Sequence, residues 1–437
     1  MEYKNFRSIH GYENFMRGCQ TLLIHTLENF FSAKVRLHFE PLREIQPRYG
    51  IDILNCIKRK VYDIDKNSVM IVSHVNIDDI SYLLTIVFNL KDISSFTQKN
   101  IFDVLASSIS NALQDSQSSS FRSSVLHFDQ SLIHRTIAKY VSKGNYDPYK
   151  IFNLMSKFNA IRTTTFEGKY FSTGLIITKS IHNYRDEANK EGGIGSIFGL
   201  HFKKDVYDEI DNRFWYLADG HSTFFLTDTK KDIHYMFVYK NKMHYDANRI
   251  IQSKAIKGRD LLFKTECGRE FSIITSKSIE FIYQENTWRY RDYKWLQKQI
   301  MNFLPMSVDV YNALIHYVLF CSKHDISSII WMPKDLKSID NYVSVKHAVS
   351  NTKINIQDPK AEGLIIRLLS SDGATIISSD GAIKYYGAIA ELKDVKAKTP
   401  KGTGESAASI LAKNGMSFKI SQDAVIKILM DSTTLKI

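Results

Sequence analysis

The chain has 437 residues, of which 44% are hydrophobic, 12% aromatic and 24% charged, and 58 Lys+Arg stand against 46 Asp+Glu for a net charge of +12. This composition excludes a disordered, collagenous or disulfide-dense miniprotein, and the length suits two to three domains. The basic surplus is spread along the chain with no basic tail, which fits contact with an anionic ligand or a nucleic acid.

Cys19, Cys56, Cys267 and Cys321 lie far apart and never form CxxC, which argues against a zinc ribbon or a disulfide framework. They point instead to a reducing cytoplasm. No apolar run approaches the roughly 20 residues a membrane helix needs. The opening MEYKNFRSIHGYENF lacks the apolar core of a secretory signal. The expectation is a cytoplasmic protein without a membrane contact.

In chain order, residues 10–33 place Phe15, Cys19, Leu22, Leu23, Leu27 and Phe30 near helical spacing, which predicts an amphipathic helix. KVRLHFEPL, SVMIVSHVNI and YLLTIVFNL read as strands. TQKNIFDVLASSISNALQD reads as a helix with Thr97 as N-cap. These parts make a small α/β module over 1–115, which resembles a GAF-type sensor domain in its order of elements. The polar DSQSSSFRSS (Asp115–Ser124) reads as a linker.

Residues 116–300 then form a helical lead-in, HFDQSLIHRTIAKYVSK and YKIFNLMSKFNAI, followed by a β-rich region from Thr163 to about Tyr283. KEGGIGSIFG (Lys190–Gly199) reads as a mobile glycine loop. Asp219, His221 and Asp228 offer metal-ligand types, although Ala218-Asp219-Gly220-His221 also suits a hairpin turn. TWRYRDYKWLQKQIMNFL reads as a packing helix with Trp288, Arg291 and Trp295 on one face. Residues 301–437 alternate helical and strand-like segments, so the expected class is α/β (α+β overall) with a mixed C-terminal sheet flanked by helices. No HExxH, GxSxG, Walker A or kinase motif is present.

The informative stretch runs from Leu364 to Leu429. AEGLIIRLLSSDG reads as a strand-like run ending at Asp372-Gly373-Ala374. AIKYYGAIAEL follows as a strand pair. Gly402-Thr403-Gly404 then opens a helix at Glu405. A glycine turn at a helix start aims free N–H groups at an anion, and glycine allows a phosphate close approach. Asp372 suits a ribose hydroxyl or a metal. Lys396, Lys398 and Lys401 lie just before the turn.

In order and spacing these parts resemble the diadenylate cyclase domain of DisA-type proteins. The resemblance covers the last 130 or so residues, under a third of the chain. It rests on SSDGATII, on Gly402-Thr403-Gly404-Glu405-Ser406 in the place of a Gly-Thr-Arg-His-Arg motif, and on Ser421-Gln422-Asp423 in the place of Ser-Glu-Glu. Ser371 stands where a histidine is usual. In that family the Arg-His-Arg cluster holds the phosphates of ATP, and charge-assisted contacts of that kind are the strong ones. Here Gly404, Glu405 and Ser406 take its place, and a carboxylate there would repel a triphosphate.

The resemblance therefore implies a nucleotide-binding sensor of the degenerate branch, in a bacterial antiphage or stress pathway. Asp372, Gly373, Ala374, Lys401, Gly402, Thr403, Gly404, Glu405, Ser406 and Ser421 would contact the nucleotide. An active cyclase is the alternative. It would use Asp372 for catalysis, Mg²⁺ or Mn²⁺ at Asp372 and Asp423, and facing copies in a homo-oligomer. A nucleotide or cyclic dinucleotide is the implied ligand, and an effector protein the implied partner of a sensor.

Overall fold

The computed structural model describes residues 23–31, 33–38, 61–65, 68–77, 80–89, 101–111, 121–190, 193–206, 211–228, 232–240, 249–266, 268–349, 354–391, 403–422, 425–431 and 433–437. It is a mixed α/β protein. Contacts divide the chain into one unit of 1–239 with 256–291, and a second of 240–255 with 292–437. Residues 1–239 and 256–291, from both of the segments expected as 1–115 and 116–300, fall in the first unit, and 240–255 falls in the second. Residues 292–300 belong with the C-terminal part, which begins earlier than the expected 301.

The first unit opens with α1 (residues 23–31), β1 (Lys34–His38), β2 (Val61–Asp65), β3 (Ser68–Ile77), β4 (Ile80–Asn89) and α2 (residues 101–111). The strands form an antiparallel sheet in the order β1-β4-β3-β2. Period-2 alternation sets its inner face: Phe88 is level with both Val35 and Val69, and Ile86 with both Leu37 and Ile71. The helices close on that face, with the Phe31 ring 5.0 Å from Phe102 and 5.2 Å from Phe88. The expected Thr97 cap lies outside the described residues.

Helix α3 (Phe121–Ser142) starts inside the segment read as a linker, and residues 115–120 lie outside the described ones. Helix α4 (Pro148–Arg162) starts where its sequence dictates. Asp147 accepts a bond from the Tyr149 N–H, and Pro148 stands in the first turn, where no backbone donor is needed. The β-rich region then supplies a short hairpin, β5 (Thr165–Phe166) with β6 (Lys169–Tyr170), followed by β7 (Thr173–Ile177), α5 (His182–Asn189), β8 (Gly195–Asp205) and α6 (Asn212–Trp215). After these come β9 (Thr223–Thr227), β10 (Asp232–Tyr239), β11 (Leu261–Glu266), β12 (Glu270–Thr275), β13 (Ile279–Gln284) and β14 (Thr287–Asp292).

Eight of these strands form one sheet in the order β14-β13-β12-β11-β7-β9-β10-β8, with β7 and β9 parallel. Phe263, Ile273 and Phe281 are level across β11, β12 and β13, and Phe158 of α4 packs 5.6 Å from Phe263 and 6.1 Å from Phe271. The opposite face carries buried charge: Lys264 is ion-paired to Glu266, and Arg291 lies 3.8 Å from Glu280. The two modules of this unit share a core, since the Phe30 ring lies 6.3 Å from Phe281 and 6.2 Å from Tyr290.

Two sequence expectations are corrected here. Residues 195–199 are strand, not loop, because they pair with Tyr235–Tyr239 of β10. Thr287–Asp292 is also strand, so Trp288 and Trp295 do not share a helix face. Glu285 and Asn286 both have positive φ (51° and 59°), the conformation of a two-residue hairpin turn, and they send β14 back along β13. Trp288 and Tyr290 then alternate inward, which is period 2 and not 3.6.

The turn before β9 settles the role of Asp219. Its carboxylate accepts from the N–H groups of His221, Ser222 and Thr223 and from the Ser222 hydroxyl. Burial pushes its pKa up, but these bonds outweigh burial and hold it below the usual carboxylate range. The Asp219–His221 segment is therefore a turn, as the simpler reading had it.

The second unit contains α7 (Arg249–Ser253), α8 (Tyr293–Phe303), α9 (Val308–Lys323), β15 (Ser328–Pro333), β16 (Val343–Ala348), α10 (Glu362–Leu369), β17 (Ala374–Ile377), β18 (Ile383–Ala390), α11 (Thr403–Leu411), β19 (Gly415–Ile420), β20 (Ile426–Met430) and β21 (Thr433–Lys436). Its seven strands run β16-β18-β17-β15-β19-β20-β21, a mixed sheet in which β15 and β17 are parallel. The run AEGLIIRLL, expected as a strand, is helix α10, with Ile365, Leu368 and Leu369 buried at helical spacing. The Thr375 hydroxyl bonds the Leu368 carbonyl 2.9 Å away, which ties α10 to β17. Helix α9 is almost wholly buried and is capped by Ser307, whose hydroxyl accepts from the Val310 N–H.

Burial lowers the His134 imidazole from 6.5 to about 4, where its ring packs 4.9 Å from Phe152 and 5.3 Å from Trp288. A base whose folded pKa lies below its unfolded one costs stability as pH falls between those two values. Urea denaturation of wild type and His134→Leu at pH 7 and pH 4.5 measures this. The wild type should lose roughly 2 kcal/mol more than the variant on acidification. Equal losses would count against a neutral, buried imidazole.

Candidate functional site

The end of the second unit's sheet where β17 begins collects most of the residues singled out by sequence. β15 sets the level: Ile329 is opposite Ala374 of β17 on one side and Lys419 of β19 on the other. The start of β17, with Asp372 and Gly373, and the end of β19, with Ser421, therefore lie at one end of the sheet. They are two strand spacings apart, roughly 10 Å.

The first turn of α11 arrives at the same end. Ser417 is opposite Trp331, and its hydroxyl bonds the Ala408 carbonyl at 2.7 Å, so α11 covers the face that bears Ile329, Trp331, Ser417 and Lys419. Ala408 and Leu411 pack there with Ala374, Ile376 and Ala388. A Cβ placed on Gly404 would sit 3.0 Å from Lys419 Cε, so the Lys419 side chain runs directly beside the helix start. Thr403, Gly404 and Glu405 open the helix, where backbone N–H groups lack intrahelical acceptors.

Asp372 is exposed, and its carboxylate accepts from the Gly373 N–H at 2.9 Å. The second Ser-Asp-Gly-Ala tetrapeptide behaves differently. Asp380 accepts from the Ser378 hydroxyl and from the Ala382 N–H, and these bonds, led by the one from Ser378, lower its pKa. That carboxylate is used by its own turn. Ser371 is likewise consumed locally, its hydroxyl donating to the Leu368 carbonyl at 2.6 Å.

Gly373 is required by its surroundings. Its φ is +89°, and an added Cβ would lie 2.7 Å from the Gly387 carbonyl carbon and 2.9 Å from the Ala388 nitrogen. The backbone of β18 thus presses against the Asp372–Gly373 turn, and His347 of β16 lies beyond it, 3.1 Å from a Cβ placed on Gly387.

Glu405 has a different position from the one its sequence suggested. Its Oε2 pairs with Lys427 Nζ at 2.8 Å, so its charge is directed at β20 and compensated there. Lys427 lies opposite Lys419 across the β19–β20 hairpin. Lys419 Nζ donates to the Ser327 hydroxyl at 3.0 Å and to the Ile420 carbonyl at 3.2 Å. The replacement cations expected from the sequence were Lys396, Lys398 and Lys401 in the loop before the helix, not these two. The signal was present in KISQDAVIK, where period-2 alternation on both arms of a hairpin puts Lys419 and Lys427 on one face.

Ser406 follows Glu405 in the first turn of α11 and is half-buried. Lys401, Gly402 and Asp423, with Lys396 and Lys398, lie outside the described residues. Among the described residues, no group of three or more His, Cys, Asp or Glu side chains could hold a metal ion. Asp423, the second carboxylate of the Mg²⁺ or Mn²⁺ pair expected with Asp372, is among the residues outside the described ones. Cys321 is buried, and burial pushes its thiol up to about 12, which leaves it unreactive.

No known family profile matches the chain, and no curated protein matches it. Nine chains of solved structures match. One is described as a hypothetical membrane spanning protein from Bacillus cereus, at 13% identity, covering 32% of this chain and 69% of that one with a TM-score of 0.27. A likeness at that score carries neither fold nor function to this protein. No single described helix is long and apolar enough to cross a membrane. Helices α8 and α9 together have the length and composition, but they meet at 117°.

Two substitutions test this geometry. Gly373→Ala should lower stability by roughly 2 kcal/mol or more, since the new methyl meets backbone and the φ is left-handed. A double-mutant cycle with Glu405→Gln and Lys427→Met should return a coupling of about 0.5 to 1 kcal/mol, the size for a partly exposed pair. Thermal or urea denaturation reads both, and zero coupling would separate Glu405 from Lys427.

Proposed function

We propose that the second unit binds a nucleotide at the Asp372 end of its sheet, and that the protein is a nucleotide-binding sensor with a diadenylate-cyclase-like site that has lost its catalytic charges. One observation carries this reading: the Asp372–Gly373 turn, the first turn of α11 and the end of β19 converge on one sheet end, beside Lys419. An exposed carboxylate, a helix start and a lysine suit a ligand with both sugar hydroxyls and phosphate.

In this reading Asp372 accepts a ribose hydroxyl. The N–H groups of Thr403 and Gly404, together with the Thr403 hydroxyl, receive a phosphate, and Gly402 and Lys401, just before them in sequence, belong to the same proposed set. Lys419 supplies positive charge in place of the Arg-His-Arg cluster, and Ser421 adds a hydroxyl. Glu405 holds Lys427 instead of facing the ligand, which removes the repulsion its position suggested. The absence of an Arg-His-Arg cluster favours binding over catalysis, because phosphoryl transfer depends on stabilising developing negative charge. A cytoplasmic setting, with access to nucleotides and an effector protein, belongs to the same proposal.

Calorimetry with ATP and with cyclic di-AMP tests it, together with mass spectrometry of small molecules released on denaturation. Binding in the nanomolar to micromolar range is expected. The Asp372→Ala/Thr403→Val variant should lose at least tenfold in affinity without a matching loss of thermal stability. Binding of no nucleotide would overturn the reading. Cyclic dinucleotide accumulating from ATP with Mn²⁺ would replace the sensor with an enzyme.

A further inference from the structure

A second candidate site lies within the first unit. A cavity of about 350 Å³ opens between the C-terminal end of α3 and two turns of the eight-stranded sheet, at Gly258–Leu261 and Thr275–Ile279. This is at the small end of the range for ligand pockets, roughly 300–1,000 Å³. Its wall is apolar: Val141, Leu261 and Ile279 are buried, and the half-buried ring of Tyr140 stands beside them.

The rim has the opposite character. Lys143, Arg259 and Lys277 come from three separate segments, each is exposed, and all three line the cavity. Among the described residues no carboxylate pairs with any of them. The acid in the lining, Asp260, is turned to other work. Its two oxygens accept from the Tyr146 hydroxyl at 3.5 Å and the Tyr184 hydroxyl at 3.0 Å, and it is 6% exposed. The carbonyl end of α3 contributes about half a negative charge on this side. Three full cations outweigh it. The Lys179 ammonium, 3.5 Å from the Gly144 carbonyl, offsets part of it as well.

Like-charged side chains repel one another, and three of them around an apolar hollow are stabilised by an anion that also fills the hollow. Asn145 adds a side-chain amide to the lining, while the Ser276 and Thr275 hydroxyls donate to the Gly258 and Ile279 carbonyls and tie the two turns in place. We propose that this cavity is a binding site for a small amphipathic anion, a carboxylate or phosphate on an apolar, planar body. The charged group would sit among Lys143, Arg259 and Lys277, and the apolar body against Tyr140, Leu261 and Ile279. This site stands apart from the nucleotide reading and survives its failure.

The test uses the full-length protein with named probes in isothermal calorimetry: phenyl phosphate, benzoate, neutral benzamide and inorganic phosphate. Phenyl phosphate or benzoate should bind at least tenfold more tightly than benzamide, which lacks the charge, and than inorganic phosphate, which lacks the body. Arg259→Gln/Lys277→Gln should weaken the aryl anion at least tenfold and reduce the salt dependence of binding. Both side chains are exposed, so the variant's circular-dichroism melt should match wild type. Ser276→Trp, which fills the cavity without removing charge, should abolish aryl-anion binding. ATP affinity at the Asp372 end should be unchanged in both variants. No binding of either aryl anion at millimolar concentration overturns the proposal, as does equal binding of benzamide or indifference to both variants.

Discussion

Strand β15 is hydrogen-bonded in parallel to β17 and antiparallel to β19, and the candidate nucleotide site depends on that double register. Because Ile329 is level with both Ala374 and Lys419, the beginning of one neighbouring strand and the end of the other meet at a single sheet end. A shift of one residue in the β15–β19 pairing would turn Lys419 and Ser417 to the opposite face, and one in the β15–β17 pairing would do the same to Ala374 and Ile376, since side chains alternate with a period of two. Ser417 would then lose the Ala408 carbonyl, and α11 would lose the contact that seats its first turn beside Lys419. The apolar pairs around Trp331 and Ile376 hold the register by placing both in the core under α11.

The first unit works under a different constraint. Every residue of Leu261–Glu266 is buried, so β11 has no solvent face on which to put its charges. Lys264 and Glu266 answer by pairing with each other. A buried pair of this kind adds little net stability over an apolar replacement, but removing one partner leaves a charge without compensation. Asp260, at the start of the same strand, meets burial with two tyrosine hydroxyls. Burial raises its pKa and the hydrogen bonds, led by those from Thr178 and Tyr184, oppose the rise. The cavity beside it thereby keeps a cationic rim, because Asp260, the acid among its described lining residues, points its oxygens elsewhere.

Much of the fold was legible where a single physical signal dominated. The strands SVMIVSHVNI and YLLTIVFNL are rich in β-branched and aliphatic residues and appear as β3 and β4. Helix α9 follows from an apolar run behind a serine cap. The misreadings fall where two signals compete. AEGLIIRLL is apolar enough for a buried strand, and only the packing of Ile365, Leu368 and Leu369 with helical spacing decides for α10. RYRDYKWLQ carries aromatic residues at spacings that serve either structure. The hairpin turn at Glu285–Asn286 divides it, and that turn lacks the Asn-Gly or Asp-Gly pair that usually announces one. In the candidate site, Asp372, Thr403 and Gly404 could be named from their glycine turns and Ser421 only from the family resemblance, whereas Lys419 and Lys427 gain their meaning from a cross-strand pairing.

The sequence by itself determined the class of protein, the existence of most helices and strands, and the glycine at Gly373 that a left-handed turn demands. Those are consequences of composition, periodicity and local backbone sterics, and each is contained within a few neighbouring residues. Only the tertiary structure decided which charges are spent in local pairs and which stay exposed. Two identical Ser-Asp-Gly-Ala tetrapeptides end with both carboxylates exposed, but one bonded to the Ser378 hydroxyl and the Ala382 N–H and the other to the Gly373 N–H of its own turn. Glu405 is withdrawn by a lysine 22 residues later in the chain, and Lys143, Arg259 and Lys277 are gathered from three segments around one cavity. Electrostatic compensation acts through space over a few ångströms, and the chain order that separates these residues carries no record of that distance.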